Sequence, residues 1–143
     1  MARLFTRELI EQSIDACNSD PAHLERAKLL TGKVILLCTN TPDGNDARAT
    51  YEFKAGRCVN WDFEEQPAPS EMRDEKFTPI KDGIARITAT YDMFAQLDRG
   101  DIDPAGALNS PDYKIDGNMI MLLPLMQAVN SWTEKVREIE KTY

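Results

Sequence analysis

The stretch FAQLDRGDIDPAGALNSPDYKIDG, from Phe94 to Gly117, alternates short apolar pieces with turn-forming residues. Gly100 is a natural end for a helix that begins after Thr90, because glycine readily takes the left-handed conformation. Asp103-Pro104 is typical of the cap and first residue of another helix. The strand DYKID, residues 112–116, follows. The stretch therefore predicts a helix, a short helix and a strand in close succession.

The next stretch is apolar. Eight residues from Met119 to Met126 carry no polar side chain. The pattern from Asn118 to the end is helical, and Pro124 should kink this helix or divide it in two. Composition alone favours a place in the core, but the three methionines here favour a cavity for an oily molecule, because methionine adapts to variable shapes.

The N-terminal half predicts two helices and a strand. Thr6 is a good helix cap, with a hydrophobic staple around it, and Asp20-Pro21 is expected to open a second helix that ends at Gly32. The apolar run of residues 33–41 predicts a strand buried on both faces. Residues 84–89 predict a further strand after a long, polar, proline-containing loop.

Between these strands, residues 47–64 predict a hairpin. A three-residue loop, Lys54-Ala55-Gly56, is preferred to a two-residue one, since it pairs Tyr51 with Val59 and Arg48 with Asp62. This register also separates an apolar face from a polar face. The element order predicts an α+β fold in one domain, residues 1–143. We expect a single, mainly antiparallel sheet of five strands with helices on one face.

Composition excludes several classes of function. The net charge of −7, from 17 basic and 24 acidic residues, disfavours nucleic acid as a partner and permanent association with an anionic membrane. No signal peptide or membrane-spanning run is expected. Three widely spaced cysteines indicate reduced thiols and a cytoplasmic location.

Little in the sequence indicates catalysis. The single histidine, His23, is expected on the surface of a helix, and no Ser-His-Asp or Cys-His set can be built convincingly from it. The acidic residues within 98–103 are expected to mark a helix end followed by a helix cap. Those of the long loop before residue 84, which we call the acidic loop, are expected to be a solvated face. Neither a metal nor a cofactor is therefore expected. Asp92 and Asp116 are the carboxylates nearest in sequence to the apolar elements, which leaves an enzyme as the least favoured hypothesis.

The motif from Phe94 to Gly117 resembles the sterol carrier protein 2 family, in particular its bacterial members. The matching residues are Phe94, Leu97, Gly100, Ile102, Asp103, Pro104, Ala107, Leu108, Ser110, Ile115 and Gly117. Asp20-Pro21, Gly32 and residues 56–59 extend the resemblance over nearly the whole chain. Two features depart from the family. Pro111 stands where many members have glycine, and the acidic insertion, residues 64–83, is longer than usual and is expected to change the entrance to the ligand site.

The resemblance implies a five-stranded sheet and helices that enclose an apolar tunnel for a sterol, fatty acid, acyl-CoA or phospholipid. We therefore expect a non-enzymatic lipid-binding or lipid-transfer protein. The expected lining residues are Phe94, Leu97, Leu108, Met119, Leu122, Leu125, Met126, Val129 and Trp132. The alternative is an interaction module, such as a homodimer, that uses the same apolar helix face.

Overall fold

The computed structural model describes all residues from Met1 to Tyr143. Its strands are β1 (Ala2–Arg3), β2 (Gly32–Thr39), β3 (Asn45–Lys54), β4 (Arg57–Pro67), β5 (Ala85–Thr90), β6 (Tyr113–Gly117) and β7 (Lys141–Thr142). Its α-helices are α1 (Arg7–Asn18), α2 (Pro21–Arg26), α3 (Tyr91–Arg99), α4 (Pro104–Ala107), α5 (Met119–Leu122) and α6 (Met126–Arg137). Two 3₁₀ turns, Glu71–Asp74 and Leu123–Leu125, complete the structure.

The main sheet has five strands in the order β4-β3-β2-β5-β6. Three neighbouring pairs are antiparallel, and the central pair, β2 and β5, is parallel. The predicted α+β class and the mainly antiparallel five-stranded sheet are confirmed. The sheet is mixed because the chain returns from the β3–β4 hairpin through the long loop before it enters β5.

Helix caps account for where most helices begin and end. The side chains of Thr6 and Thr90 accept hydrogen bonds from backbone amides at the starts of α1 and α3, as expected. Gly100 ends α3 in the left-handed conformation, with a φ of +79°. Asp103 accepts from the Gly106 amide at the start of α4. Pro124 separates α5 from α6, so the predicted division of the last helix is confirmed.

One face of the sheet, here called the inner face, carries the core. Leu36 of β2 is opposite Ala49 of β3 on this face, and Tyr51 lies two residues further along β3. Ala49 and Tyr51 belong to one hydrophobic cluster with Leu9 and Ile10 of α1, and Leu36 packs against it. The helices thus cover the inner face, and their apolar stripes explain why they pack there.

The hairpin register differs from the prediction. Tyr51 pairs with Trp61, and Arg48 pairs with Glu64, to which it is also salt-bridged. The loop has two residues, Ala55 and Gly56, because Lys54 pairs with Arg57. Val59 has no partner on β3 and forms a β-bulge in β4. The apolar and polar faces of the hairpin are still separate, as predicted. A two-residue loop alone would place polar residues opposite apolar ones, but the bulge shifts β4 by one residue, so that Tyr51 is opposite Trp61 and Ala49 is opposite Phe63.

Two predicted ends were wrong. The second helix ends at Arg26 and not before Gly32, because the Leu30 carbonyl accepts the Gly56 amide of the hairpin turn and leaves the helical path. The last helix ends at Arg137, and Lys141–Thr142 then form a short parallel strand with Ala2–Arg3.

The acidic loop lies against the other face of the sheet, which we call the outer face. Arg48 of β3 is salt-bridged to Glu75 at 2.7 Å, and Arg86 of β5 donates to the Glu75 carbonyl, also at 2.7 Å. Met72 of the 3₁₀ turn is almost completely buried. The loop is therefore held on the sheet by side-chain contacts.

Candidate functional site: an apolar pocket between helices and sheet

The structure contains a pocket of about 200 Å³ between the helical layer and the inner face of the sheet. Of its 22 lining residues 17 are hydrophobic, so the pocket suits an apolar body better than a polar one. The strands contribute Val34, Leu36 and Ile87, while α1 contributes Leu9 and Ile10. None of residues 64–83, which form the end of β4 and the acidic loop, is among the lining residues.

Four of the residues predicted to contact ligand line this pocket: Phe94 and Leu97 of α3, and Val129 and Trp132 of α6. Both helices direct these residues into the pocket, opposite residues that the strands contribute. The 3.6-residue period explains the placement, because residues three or four apart in a helix share one face.

The other five predicted residues do not line this pocket: Leu108, Met119, Leu122, Leu125 and Met126. Leu108 is about half exposed, and Met119 is 47% exposed. Leu122 is buried, Leu125 packs against the main core, and Met126 is half-buried. Their predicted role as ligand contacts stays a prediction.

The segment before Pro124 presents a surface of exposed apolar side chains, which we call the α5 patch: Met119, Ile120, Met121 and Leu123. Ile120 is 82% exposed and Leu123 is 65% exposed. We expected these residues in the core or at a cavity, so their exposure corrects that prediction. The 3₁₀ turn at Pro124 changes the helical phase, so Leu122 alone of α5 turns inward.

Sequence reasoning missed much of the wall that α1 and the strands form. Leu9, Ile10 and Tyr51 line the pocket but are not among the predicted ligand contacts. Helical or strand periodicity predicts which residues face inward, but it does not distinguish contact with other side chains from contact with a cavity.

His23 was expected on the surface, and this was wrong. Its side chain is 1% exposed and lines the pocket. Its Nδ1 lies 2.7 Å from the Ser131 hydroxyl of α6, whose oxygen also accepts from Arg26 Nε at 3.0 Å. Burial lowers the pKa of His23, so the ring is neutral at pH 7. Its Nε2 is buried without a hydrogen-bond partner.

A second polar group, Asp98 of α3, lies in the pocket wall and is fully engaged. It accepts two hydrogen bonds from Lys141 Nζ, at 2.9 and 3.1 Å, and one from the Tyr143 hydroxyl. Burial and the carboxylate raise the pKa of Tyr143 to about 12. Arg137 donates to the Asp98 carbonyl, so these contacts tie the C-terminal residues to α3 beside the pocket.

The two carboxylates considered for an enzyme lie outside this pocket. Asp116 is paired with Arg86 at 3.1 Å, and Asp92 is exposed. The three cysteines are buried and unpaired, and burial raises the pKa of each thiol, which disfavours the reactive thiolate. No group of acidic, cysteine or histidine side chains is arranged to hold a metal ion.

Solved structures with the same architecture exist. A crystal structure of sterol carrier protein 2 superposes with a TM-score of 0.76 at 18% identity, covering 96% of this chain and 100% of that one. A conserved hypothetical protein of Thermus thermophilus, described as possibly a sterol carrier protein, gives 0.74 at 18% identity, over 99% and 92% of the chains. The apo form of sterol carrier protein 2 from Yarrowia lipolytica gives 0.55 at 17%, over 94% of each chain.

The chain therefore has the sterol carrier protein 2 fold, as the sequence motif predicted. No family model and no curated protein sequence matches it. None of its helices is both long enough and apolar enough to cross a bilayer.

Proposed function

We propose that residues 1–143 form one domain that binds or transfers a lipid without catalysing a reaction, and that it does so in the cytoplasm. The observation that carries the proposal is the pocket under α3 and α6, with its mostly hydrophobic lining. The structural neighbours support it, since three of them are named as sterol carriers or possible sterol carriers.

The apolar lining also indicates the kind of ligand. Each buried methylene contributes roughly 0.8 kcal/mol, so a chain of sixteen carbons offers about 12 kcal/mol before costs. Association and ordering of the chain offset much of this, which leaves a dissociation constant on the order of micromolar. The pocket is smaller than the roughly 300 Å³ at which ligand sites usually begin, so a long chain should widen it.

Titration with a fluorescent long-chain fatty acid tests this function. We expect saturable binding of one ligand per chain in the micromolar range, and displacement by unlabelled chains. Affinity should tighten by up to about fourfold for each added methylene until the pocket is full. A protein that stays empty at tens of micromolar, for every chain length and for a sterol, would exclude the lipid-binding function.

The α5 patch favours a second candidate, an interaction module that forms a homodimer. Four neighbouring residues expose large apolar side chains, and contiguous exposed apolar surface often marks an interface. If the patch is an interface, the wild-type chain is dimeric without ligand, and Ile120→Lys makes it monomeric. Leu29→Lys is the matched control, because Leu29 is 66% exposed outside the patch. Light scattering decides: a monomeric wild type at high concentration would exclude this candidate.

A further inference from the structure

The side chain of His23 has one polar atom whose role the fold does not explain. The ring is 1% exposed, and Nδ1 is engaged by Ser131, while Nε2 is buried and has no partner. A buried polar atom without a partner destabilises the folded state, so one that persists in a native protein calls for a functional explanation.

The hydrogen bonds of Ser131 determine which nitrogen carries the proton. The Ser131 oxygen accepts from Arg26 Nε, and the hydroxyl has a single proton to give. His23 Nδ1, at 2.7 Å, is the acceptor within reach of that proton. If His23 Nδ1 donated to the Ser131 oxygen instead, the hydroxyl proton of this buried serine would have no acceptor. Ser131 therefore donates to Nδ1, and the neutral ring carries its own proton on Nε2.

His23 belongs to the wall of the pocket, together with Trp132, whose ring centroid lies 6.1 Å from that of His23. Tyr51 lines the same part of the pocket, 5.5 Å from Trp132 between ring centroids. The Nε2 proton thus belongs to a residue of the pocket wall, next to two aromatic rings, and it is an unused hydrogen-bond donor.

We propose that His23 Nε2–H is the binding site for an uncharged oxygen acceptor, a hydroxyl or carbonyl, at one end of a long apolar ligand. The inference rests on the proposed lipid-binding function and makes it more specific. A neutral acceptor suits the site because the ring is neutral. The buried acid at the pocket, Asp98, already has its cation in Lys141. Burial of a ligand carboxylate would carry a desolvation cost that no free buried cation of the pocket offsets.

Nitrogen-15 NMR of the histidine-labelled protein tests the tautomer directly, because His23 is the single histidine of the chain. We expect a neutral ring protonated on Nε2 at pH 7.5. Addition of 1-hexadecanol, delivered from cyclodextrin, should move the Nε2–H proton signal downfield, whereas hexadecane should not. A ring protonated on Nδ1, or equal shifts with both ligands, would overturn the inference.

Competition against a fluorescent fatty acid supplies the second test. The preference for 1-hexadecanol over hexadecane should fall by about tenfold in His23→Phe, which corresponds to the loss of one hydrogen bond. Asn130→Phe is the control. Asn130 is exposed on α6 and does not line the pocket, so the preference should not change. Circular dichroism checks that both variants fold.

The outcomes separate this inference from the proposed function. If the wild type binds neither these two ligands nor fatty acids nor a sterol, lipid binding itself fails. If a fatty acid binds but 1-hexadecanol does not, lipid binding stands and the role of His23 is wrong. If both bind and His23→Phe keeps the wild-type preference, lipid binding stands and the role of His23 is wrong. Should His23→Phe not fold, Ser131→Ala replaces it: without the serine proton the ring should populate both tautomers, and the preference should fall. An unchanged tautomer in Ser131→Ala would contradict the argument.

Discussion

At the residue scale, Gly56 shows how one position joins two elements. Its φ is +86°, which favours glycine, and its amide donates to the Leu30 carbonyl at 2.8 Å. A Cβ built on Gly56 would lie 2.7 Å from the Ala27 carbonyl oxygen. The hairpin turn therefore packs directly on the end of α2, and a side chain at Gly56 would force them apart.

We predict that Gly56→Ala destabilises the protein by well over 1 kcal/mol, and Gly56→Val by more, because strain at positive φ adds to the backbone clash. Gly44→Ala is the control, since Gly44 has a φ of +80° with open space around its Cβ position. Denaturant unfolding measures both. Equal losses of unfolding free energy in Gly56→Ala and Gly44→Ala would show that the close approach to Ala27 contributes nothing.

At the element scale, a buried carboxylate holds the acidic loop on the sheet. Asp46 of β3 is 0% exposed and accepts from the Ser70 amide and hydroxyl, at 2.9 and 2.7 Å, and from Arg73 Nε at 2.7 Å. Burial alone would raise the pKa of Asp46, but these hydrogen bonds outweigh it and hold the pKa far below its usual value. The loop therefore depends on the ionised carboxylate.

This anchor gives the stability of the fold a pH dependence. Because the folded-state pKa is lowered, the contribution of Asp46 is complete above its unfolded pKa of about 3.9 and is lost as the pH falls towards the folded value. Asp46→Asn should cost roughly 3 kcal/mol at pH 7, and less at pH 2. Asp43→Asn is the exposed control. Denaturant unfolding between pH 7 and pH 2 should show the wild-type and Asp46→Asn curves converging; parallel curves would contradict the anchor.

Elements were easier to predict from the sequence than their relations. Caps and glycines located most helices and strands, because Thr6, Thr90 and Gly100 act through local hydrogen bonds and backbone conformation. The hairpin register was missed because the bulge at Val59 is settled by packing across the sheet, not by the turn residues.

The α5 patch shows the same limit at the site. The helical pattern of the sequence predicts one continuous face for the residues before and after Pro124. The 3₁₀ turn at Pro124 interrupts that face, so Met119 and Val129 do not lie on the same side. The buried position of His23 was missed for a related reason. Its environment comes from α6, more than one hundred residues away, and the local sequence gives no sign of this.

At the scale of the whole molecule, the fold leaves a space between the sheet and the helical layer. The strands line this space from the sheet, while α1, α3 and α6 line it from the helical layer. Contacts of Lys141 and Tyr143 with Asp98 hold the end of the chain beside this space. The central claim is that this pocket, and not the exposed α5 patch, receives the apolar part of a lipid.

The most direct test measures ligand binding after a large side chain has been placed in the pocket. Val129→Trp adds a large ring at a lining position, while Leu123→Trp adds the same ring on the exposed α5 patch as a control. With circular dichroism confirming the fold of each, fluorescent fatty-acid titration should show at least tenfold weaker binding for Val129→Trp and nearly wild-type binding for Leu123→Trp. Unchanged binding in Val129→Trp, or loss of binding only in Leu123→Trp, would contradict the account.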